Sequence, residues 1–230
     1  MTPRHRHAVI VSSYNRPKMV RDAISSVLRQ GASVQLLVAD DDSDDETRRA
    51  IQDEFTRSGS GNCTLLSANR PRGIRDSVPE RATACINAAL AVVDAEFVHY
   101  LPDDDWFGAG RFEAFERFFD AHPEIDVAYG AMLTVDLAGT VLGHLFRGTV
   151  LANGFNNVDH GSFCHRARVL QRVPRWPAEP HYAFDANFMT ELAVAGYELH
   201  PVRHVVNYKR THERNLMSER NRESPPTGRE

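Results

Sequence analysis

Apolar and polar positions fall in blocks along this chain, and the period of the pattern changes from block to block. Ala8-Val9-Ile10-Val11 and Val34-Gln35-Leu36-Leu37-Val38-Ala39 are short, nearly continuous apolar runs, as expected of strands buried on both faces. Between them Pro17 suits a first helical position, Val20, Ile24, Val27 and Leu28 recur at helical spacing, and Gly31 supplies a stop. A second helix is predicted over 47–55, a short strand over 63–66, a polar loop over 67–79 and an Ala-rich helix over 80–93. Glu96-Phe97-Val98-His99-Tyr100-Leu101 then reads as a strand stopped at Pro102, which has no backbone donor. The order β-α-β-α-β-loop-α-β calls for a largely parallel sheet with helices on both faces.

The second half is less regular. Phe112, Phe115, Phe118 and Phe119 stripe a helix predicted over 110–119, a pattern that core packing explains and that is also a candidate homodimer interface. Segments 127–135 and 141–146, joined through Leu137-Ala138-Gly139, read as a hairpin. The polar run 153–160 is expected to line a site, a helix is predicted over 185–195 ahead of Gly196, and a last strand lies within 197–206. From Ser218 onward the chain is charged, carries Pro225-Pro226 and has no apolar period, so 218–230 is expected to be a disordered tail. Residues 1–217 form one expected domain, with a nucleotide-binding half over about 1–107 and an acceptor-side half over 108–217.

Two carboxylate clusters follow strands. Asp103-Asp104-Asp105 comes directly after the strand that ends at Pro102, and six acids occupy the seven positions from Asp40 to Glu46. Adjacent carboxylates repel one another, and a hard divalent cation bound through oxygen offsets that repulsion. In open α/β sheets ligands sit outside the carboxyl ends of the strands, where this sequence places both clusters. An acidic surface loop is the alternative for the first cluster, and helix capping for part of the second.

Composition narrows the class. The 230 residues are 42% hydrophobic and 25% charged with a net charge of −4, ordinary for a globular protein and no footprint for nucleic acid. Of the 27 basic residues only Lys18 and Lys209 are lysine. Cys63, Cys85 and Cys164 are widely spaced, which argues against a disulfide framework or a zinc site and suits a reducing cytoplasm. The apolar run after the basic N-terminus is too short for a signal peptide, and no segment approaches the roughly 20 apolar residues that span a bilayer.

Four ordered stretches resemble the family 2 glycosyltransferases. They are Val9-Ile10-Val11-Ser12-Ser13-Tyr14-Asn15 with Val38-Ala39-Asp40-Asp41-Asp42-Ser43-Asp44-Asp45-Glu46-Thr47, the DxD-like Asp103-Asp104-Asp105, the helix that opens at Asp185-Ala186-Asn187, and Tyr208-Lys209-Arg210-Thr211-His212-Glu213-Arg214-Asn215. Within the family the likeness is greatest to its spore-coat polysaccharide members, and it covers roughly residues 8–215. The resemblance implies a GT-A fold: a Rossmann-like, mostly parallel central sheet with a smaller mixed acceptor-side part. It also implies an inverting, metal-dependent transfer from a UDP- or dTDP-sugar to a hydroxyl acceptor, in the assembly of a surface polysaccharide or a glycosylated natural product. On that likeness Asp185 is the catalytic base, Asp104, Asp105 and His212 hold Mn²⁺ or Mg²⁺, and Ser12, Tyr14, Asp41, Arg75 and Asp103 bind the nucleotide. The position before Asp185, usually Glu in the family, is Phe184 here, which bears on acceptor contacts. A nucleotidyltransferase would want a Gly-rich loop after the first strand, which Ser12-Ser13-Tyr14-Asn15 is not. A non-catalytic sugar-nucleotide-binding module would lack the base or a metal ligand.

Overall fold

The structure, a computed structural model, describes residues 2–31, 33–68, 78–146, 158–177 and 184–212. Its elements in chain order are β1 (His5–Ser13), α1 (Pro17–Leu28), β2 (Val34–Asp40), α2 (Asp45–Ser58), β3 (Cys63–Ser67), α3 (Val78–Leu90), β4 (Ala95–Pro102), β5 (Trp106–Phe107), α4 (Arg111–Ala121), β6 (Val127–Val135), β7 (Val141–Phe146), β8 (Phe163–Arg166), α5 (Phe184–Val194) and β9 (Leu199–Arg210). The strands form one sheet in the order β3-β2-β1-β4-β8-β6-β9-β5, with β7 hydrogen-bonded to β6.

The parallel block is β3-β2-β1-β4, in which Ser13 pairs with Asp40 and Ser12 with Pro102. Chain order runs outward from β1 to β3 and then returns to β4 on the other side of β1. The carboxyl ends of β1 and β4 therefore flank a switch point, where a crevice opens. On one face Val20, Ile24 and Val27 of α1 pack with Ala50 and Ile51 of α2 against Val9, Val11, Leu36 and Val38. On the other, Ile86 and Ala89 of α3 and Phe188, Met189 and Leu192 of α5 close over Ile10, Leu37, Val98 and Tyr100, with Trp176 among them.

Several element ends follow from local chemistry. Asp44 caps α2 by accepting the Thr47 N–H at 2.8 Å, and Gly59, with φ of 62°, ends it in the left-handed conformation that glycine tolerates best. Phe112, Phe115 and Phe119 are buried, so most of the aromatic stripe of α4 belongs to the core.

Three features go beyond the sequence reading. β1 starts at His5 because His7 is buried, stacked on Phe112 with ring centroids 4.1 Å apart and hydrogen-bonded to His99 and Glu116. The two-residue β5 and the four-residue β8 carry no readable period, yet β8 is the antiparallel bridge that joins β4 to β6. The last strand runs on to Arg210, because β9 lies parallel to β6 along most of its length. The expected tail over 218–230 and the loop carrying Arg75 lie outside the described residues.

Candidate functional site

The crevice begins where β1 and β2 end. Five of the six acids between Asp40 and Glu46 are accounted for by the turn and the helix. Asp40 accepts the Ser43 N–H at 3.1 Å and Arg48 Nε at 3.0 Å. Asp42 takes Arg48 Nη2 at 2.8 Å, Asp44 caps α2, and Asp45 and Glu46 lie in its first turn, where they complement the dipole. That leaves Asp41, whose N–H is tied to Ser13 O at 3.0 Å and whose carboxylate is ion-paired with Arg81. The Arg81 guanidinium also lies over the Tyr14 ring, 3.8 Å from its centroid. Tyr14, Asp41 and Arg81 thus form a stacked, charge-balanced patch at the end of the parallel block, and Ser12 lies near the close of β1. Asn15, with φ of 49°, turns the chain there and holds the N–H of Asp44 through its side-chain oxygen at 2.8 Å.

The three aspartates after β4 have three different environments. Asp103 accepts the Tyr14 N–H at 2.9 Å and Arg16 Nη1 at 2.7 Å, which fastens the end of β4 to the end of β1. Burial raises its carboxyl to about 6, against the pull of Arg16. Asp104 Oδ2 faces His212 Nε2 at 3.0 Å and Arg16 Nη1 at 3.2 Å. Burial alone would raise Asp104, but His212, Arg16 and Lys209 outweigh it and hold the carboxyl below its ordinary range. Asp105 accepts the Arg210 N–H at 2.9 Å on one oxygen and Asn207 Nδ2 at 3.3 Å on the other. Burial and the neighbouring Asp104 push it well above the usual carboxylate range.

The opposite wall comes from β9, α5 and the turn before β8. Asp159 caps the one-turn helix His160–Ser162 through the Gly161 N–H at 2.9 Å and forms an ion pair with Lys209. Burial alone would raise the Asp159 carboxyl, yet Lys209, His160 and the Gly161 N–H bring it down to about 2. A side chain at Gly161 would put its Cβ 2.7 Å from Asn207 Nδ2, so any other residue here would have to displace the Asn207 amide. Asp185, half-buried at the start of α5, accepts the Ala186 N–H at 2.9 Å. Burial and the charge of Asp159 raise it, a net effect opposite to that of the helix dipole. His160 lies within electrostatic reach of Asp159, Asp185, Lys209 and Asp104.

Arg111 supports this wall from below. It is fully buried, donating to the carbonyls of Gly161 at 2.5 Å, Phe163 at 2.8 Å and Val206 at 3.1 Å, and to His99 Nδ1 at 3.3 Å. Burial lowers its guanidinium to about 9.

The donor set suits a hard divalent cation in a limited way. Asp104 and His212 present an oxygen and a nitrogen side by side, a mixed pair that fits Mn²⁺ or Mg²⁺ completed by phosphate oxygens and water. Among the described residues no three His, Cys, Asp or Glu side chains converge on a ready-made metal cluster. Asp105, expected as a ligand, accepts one hydrogen bond from β9 on each oxygen. Arg75 lies outside the described residues; Arg81 and Arg111 carried no signal in the sequence, while Asp159 and Lys209 stood in the expected site run 153–160 and the family-like segment 208–215 without a role of their own.

Comparison with known proteins agrees with this architecture. The profile of "Glycosyl transferase family 2" matches residues 8–146. Protein CgeD of Bacillus subtilis is 28% identical over 173 residues, covering 72% of this chain and 39% of the relative. The Escherichia coli UDP-Glc:alpha-D-GlcNAc-diphosphoundecaprenol beta-1,3-glucosyltransferase WfgD is 35% identical over 107 residues, 46% of this chain and 38% of the relative. The chain therefore spans about two fifths of the length of these curated relatives. Among solved structures, TarS of S. aureus in complex with UDP-GlcNAc superposes with a TM-score of 0.67 at 19% identity, over 93% of this chain and 60% of that one. The mannosyltransferase PcManGT of Pyrobaculum calidifontis with GDP-Man and Mn²⁺ gives a TM-score of 0.70 at 18% identity, over 96% and 61%. These likenesses are of fold, and they agree with the GT-A architecture expected from the sequence. Among the described residues no helix is long and apolar enough to cross a membrane.

Proposed function

Since this chain belongs to glycosyl transferase family 2, we propose that it transfers a sugar, with inversion, from a pyrimidine nucleotide donor to a hydroxyl acceptor, and that a divalent cation assists. One observation supports the reading: Asp104 pairs with His212 and Asp159 with Lys209, which brings the end of β4, the end of β9 and the turn before β8 together at the switch point of the sheet. The WfgD name, with its UDP-glucose donor and lipid-linked sugar acceptor, supports a UDP-sugar and a glycan product. TarS with UDP-GlcNAc is in keeping with the same donor class.

In this reading the base lies against Tyr14 with its N–H directed to Asp41, Ser12 flanks it, and Arg81 balances the carboxylate. Asp104 and His212 would hold the cation, which supplies charge neutralisation at the diphosphate when bound. Asp103 ties the two strand ends together and fixes where Asp104 points. Arg75 remains a candidate for a second base or phosphate contact. Asp185 takes the proton from the acceptor oxygen as that oxygen adds to the anomeric carbon. The bond from that carbon to the phosphate oxygen breaks, and its electron pair leaves with the nucleoside diphosphate.

The test is Asp185→Asn, assayed with a panel of UDP- and dTDP-sugars. Transfer falls by about 10²- to 10⁴-fold while calorimetric binding of the nucleoside diphosphate is unchanged. Full transfer activity in the variant would remove Asp185 as the base.

A further inference from the structure

Lysine is rare in this chain: 25 of its 27 basic residues are arginine, and Lys209 is one of the two exceptions. It is also placed where charge matters. Its ammonium is bonded to Asp159, whose other oxygen is occupied by the Gly161 N–H at 2.9 Å. It stands three positions before His212 near the end of β9, and Asp105 and Asp185 both feel its charge. Asp104 feels it too. Its side chain keeps 31% of its surface exposed, although the carboxylate it holds is 8% exposed.

We propose that Lys209 is a binding and catalytic residue for the leaving group, donating from its ammonium to the β-phosphate of the nucleotide sugar. This inference rests on the donor-site reading given above. Three arguments support it. Asp104, Asp105, Asp159 and Asp185 all lie within electrostatic reach of Lys209, so a phosphate that gains charge on leaving beside them needs a fixed cation in addition to a bound metal. An ammonium has three donors, and the Asp159 oxygen takes one of them. A lysine also behaves as a compact point charge that can serve a carboxylate and a phosphate together, whereas a guanidinium is drawn flat against one carboxylate. Asp159 then acts as the positioning residue, holding the ammonium in place through a side chain anchored by its own turn. When the anomeric carbon–oxygen bond breaks, the electron pair remains on the phosphate oxygen and a Lys209 N–H donates to that oxygen. The acceptor proton goes to Asp185.

The test compares UDP with UMP by calorimetry in Mn²⁺, because the two differ at the β-phosphate that Lys209 would hold. Lys209→Met is expected to lose about tenfold in UDP affinity and to keep its UMP affinity, the size of a hydrogen bond to a charged group. Asp159→Asn, which removes the carboxylate that positions the ammonium, weakens UDP severalfold and leaves UMP unchanged, and it decides the matter if Lys209→Met does not fold. Equal effects on UDP and UMP, or none on either, overturn the assignment while the donor-site reading stands. A wild-type protein that binds neither nucleotide overturns both.

Discussion

Asp185 shows how the environment of one residue sets a testable limit. Burial and the negative charge of Asp159 raise its carboxyl above the ordinary range. A base works only when ionised, so transfer falls as pH drops through that raised value. The acidic limb of the kcat/KM profile is therefore expected above the ~4 of an unperturbed aspartate. A limb at or below that value would contradict the assignment of this base. At this scale the sequence was legible where function is concentrated in consecutive residues. Asp41 and Asp103-Asp104-Asp105 could be located because each cluster follows an apolar run. What each aspartate does was not legible, since the partners that distinguish them come from elsewhere in the chain. Arg81 reaches Asp41 across 40 positions, Lys209 reaches Asp159 across 50, and Arg210 reaches Asp105 across 105.

Among the elements, the least regular ones bear most on the site. β8 and the turn ahead of it carry Asp159 and His160, while β9 carries Asn207, Lys209 and Arg210 and leads to His212. Arg111 at the start of α4 joins the two through the carbonyls of Gly161, Phe163 and Val206. An Arg111→Met substitution leaves these three buried acceptors without their donor. At about 1–3 kcal/mol each, a loss of about 3 kcal/mol or more in unfolding free energy is expected by urea titration. A loss under about 1 kcal/mol would show that water or repacking satisfies them. Repeated apolar positions found α1, α4, β6 and β7 to within a few residues, while α2 was marked by the acids at its start and α5 by Gly196 after its end. β8 has four residues, two of them Cys164 and His165, and β5 has two, so neither offers a pattern. Their pairing comes from the sheet around them.

At the level of the whole molecule, the parallel block and its helices were readable from the order of elements, and the mixed half was not, because β8 is inserted between β4 and β6 out of sequence order. The interior also contains a histidine cluster that no composition argument would find. His7 bonds to His99 at 3.0 Å, and His165 accepts from Tyr100 Oη at 2.7 Å. Burial lowers His7 and His165 to about 4 and His99 well below its ordinary value. The unfolded chain therefore takes up these protons first. The stability that comes from burying neutral rings is complete above pH ~6.5 and is lost as pH falls toward 4, at roughly 1.4 kcal/mol per ring for each pH unit. Thermal melting between pH 7 and pH 4 is expected to show a progressive fall in Tm, and a flat profile would refute neutral burial of the rings. The central claim, a metal-assisted site for a pyrimidine nucleotide sugar, is tested most directly by calorimetric titration of UDP, dTDP, GDP and ADP, each with Mn²⁺ and with EDTA. The account predicts binding of UDP or dTDP that depends on the metal and is weakened by Asp104→Ala. Binding of none, or of purine and pyrimidine diphosphates equally without metal, would contradict it.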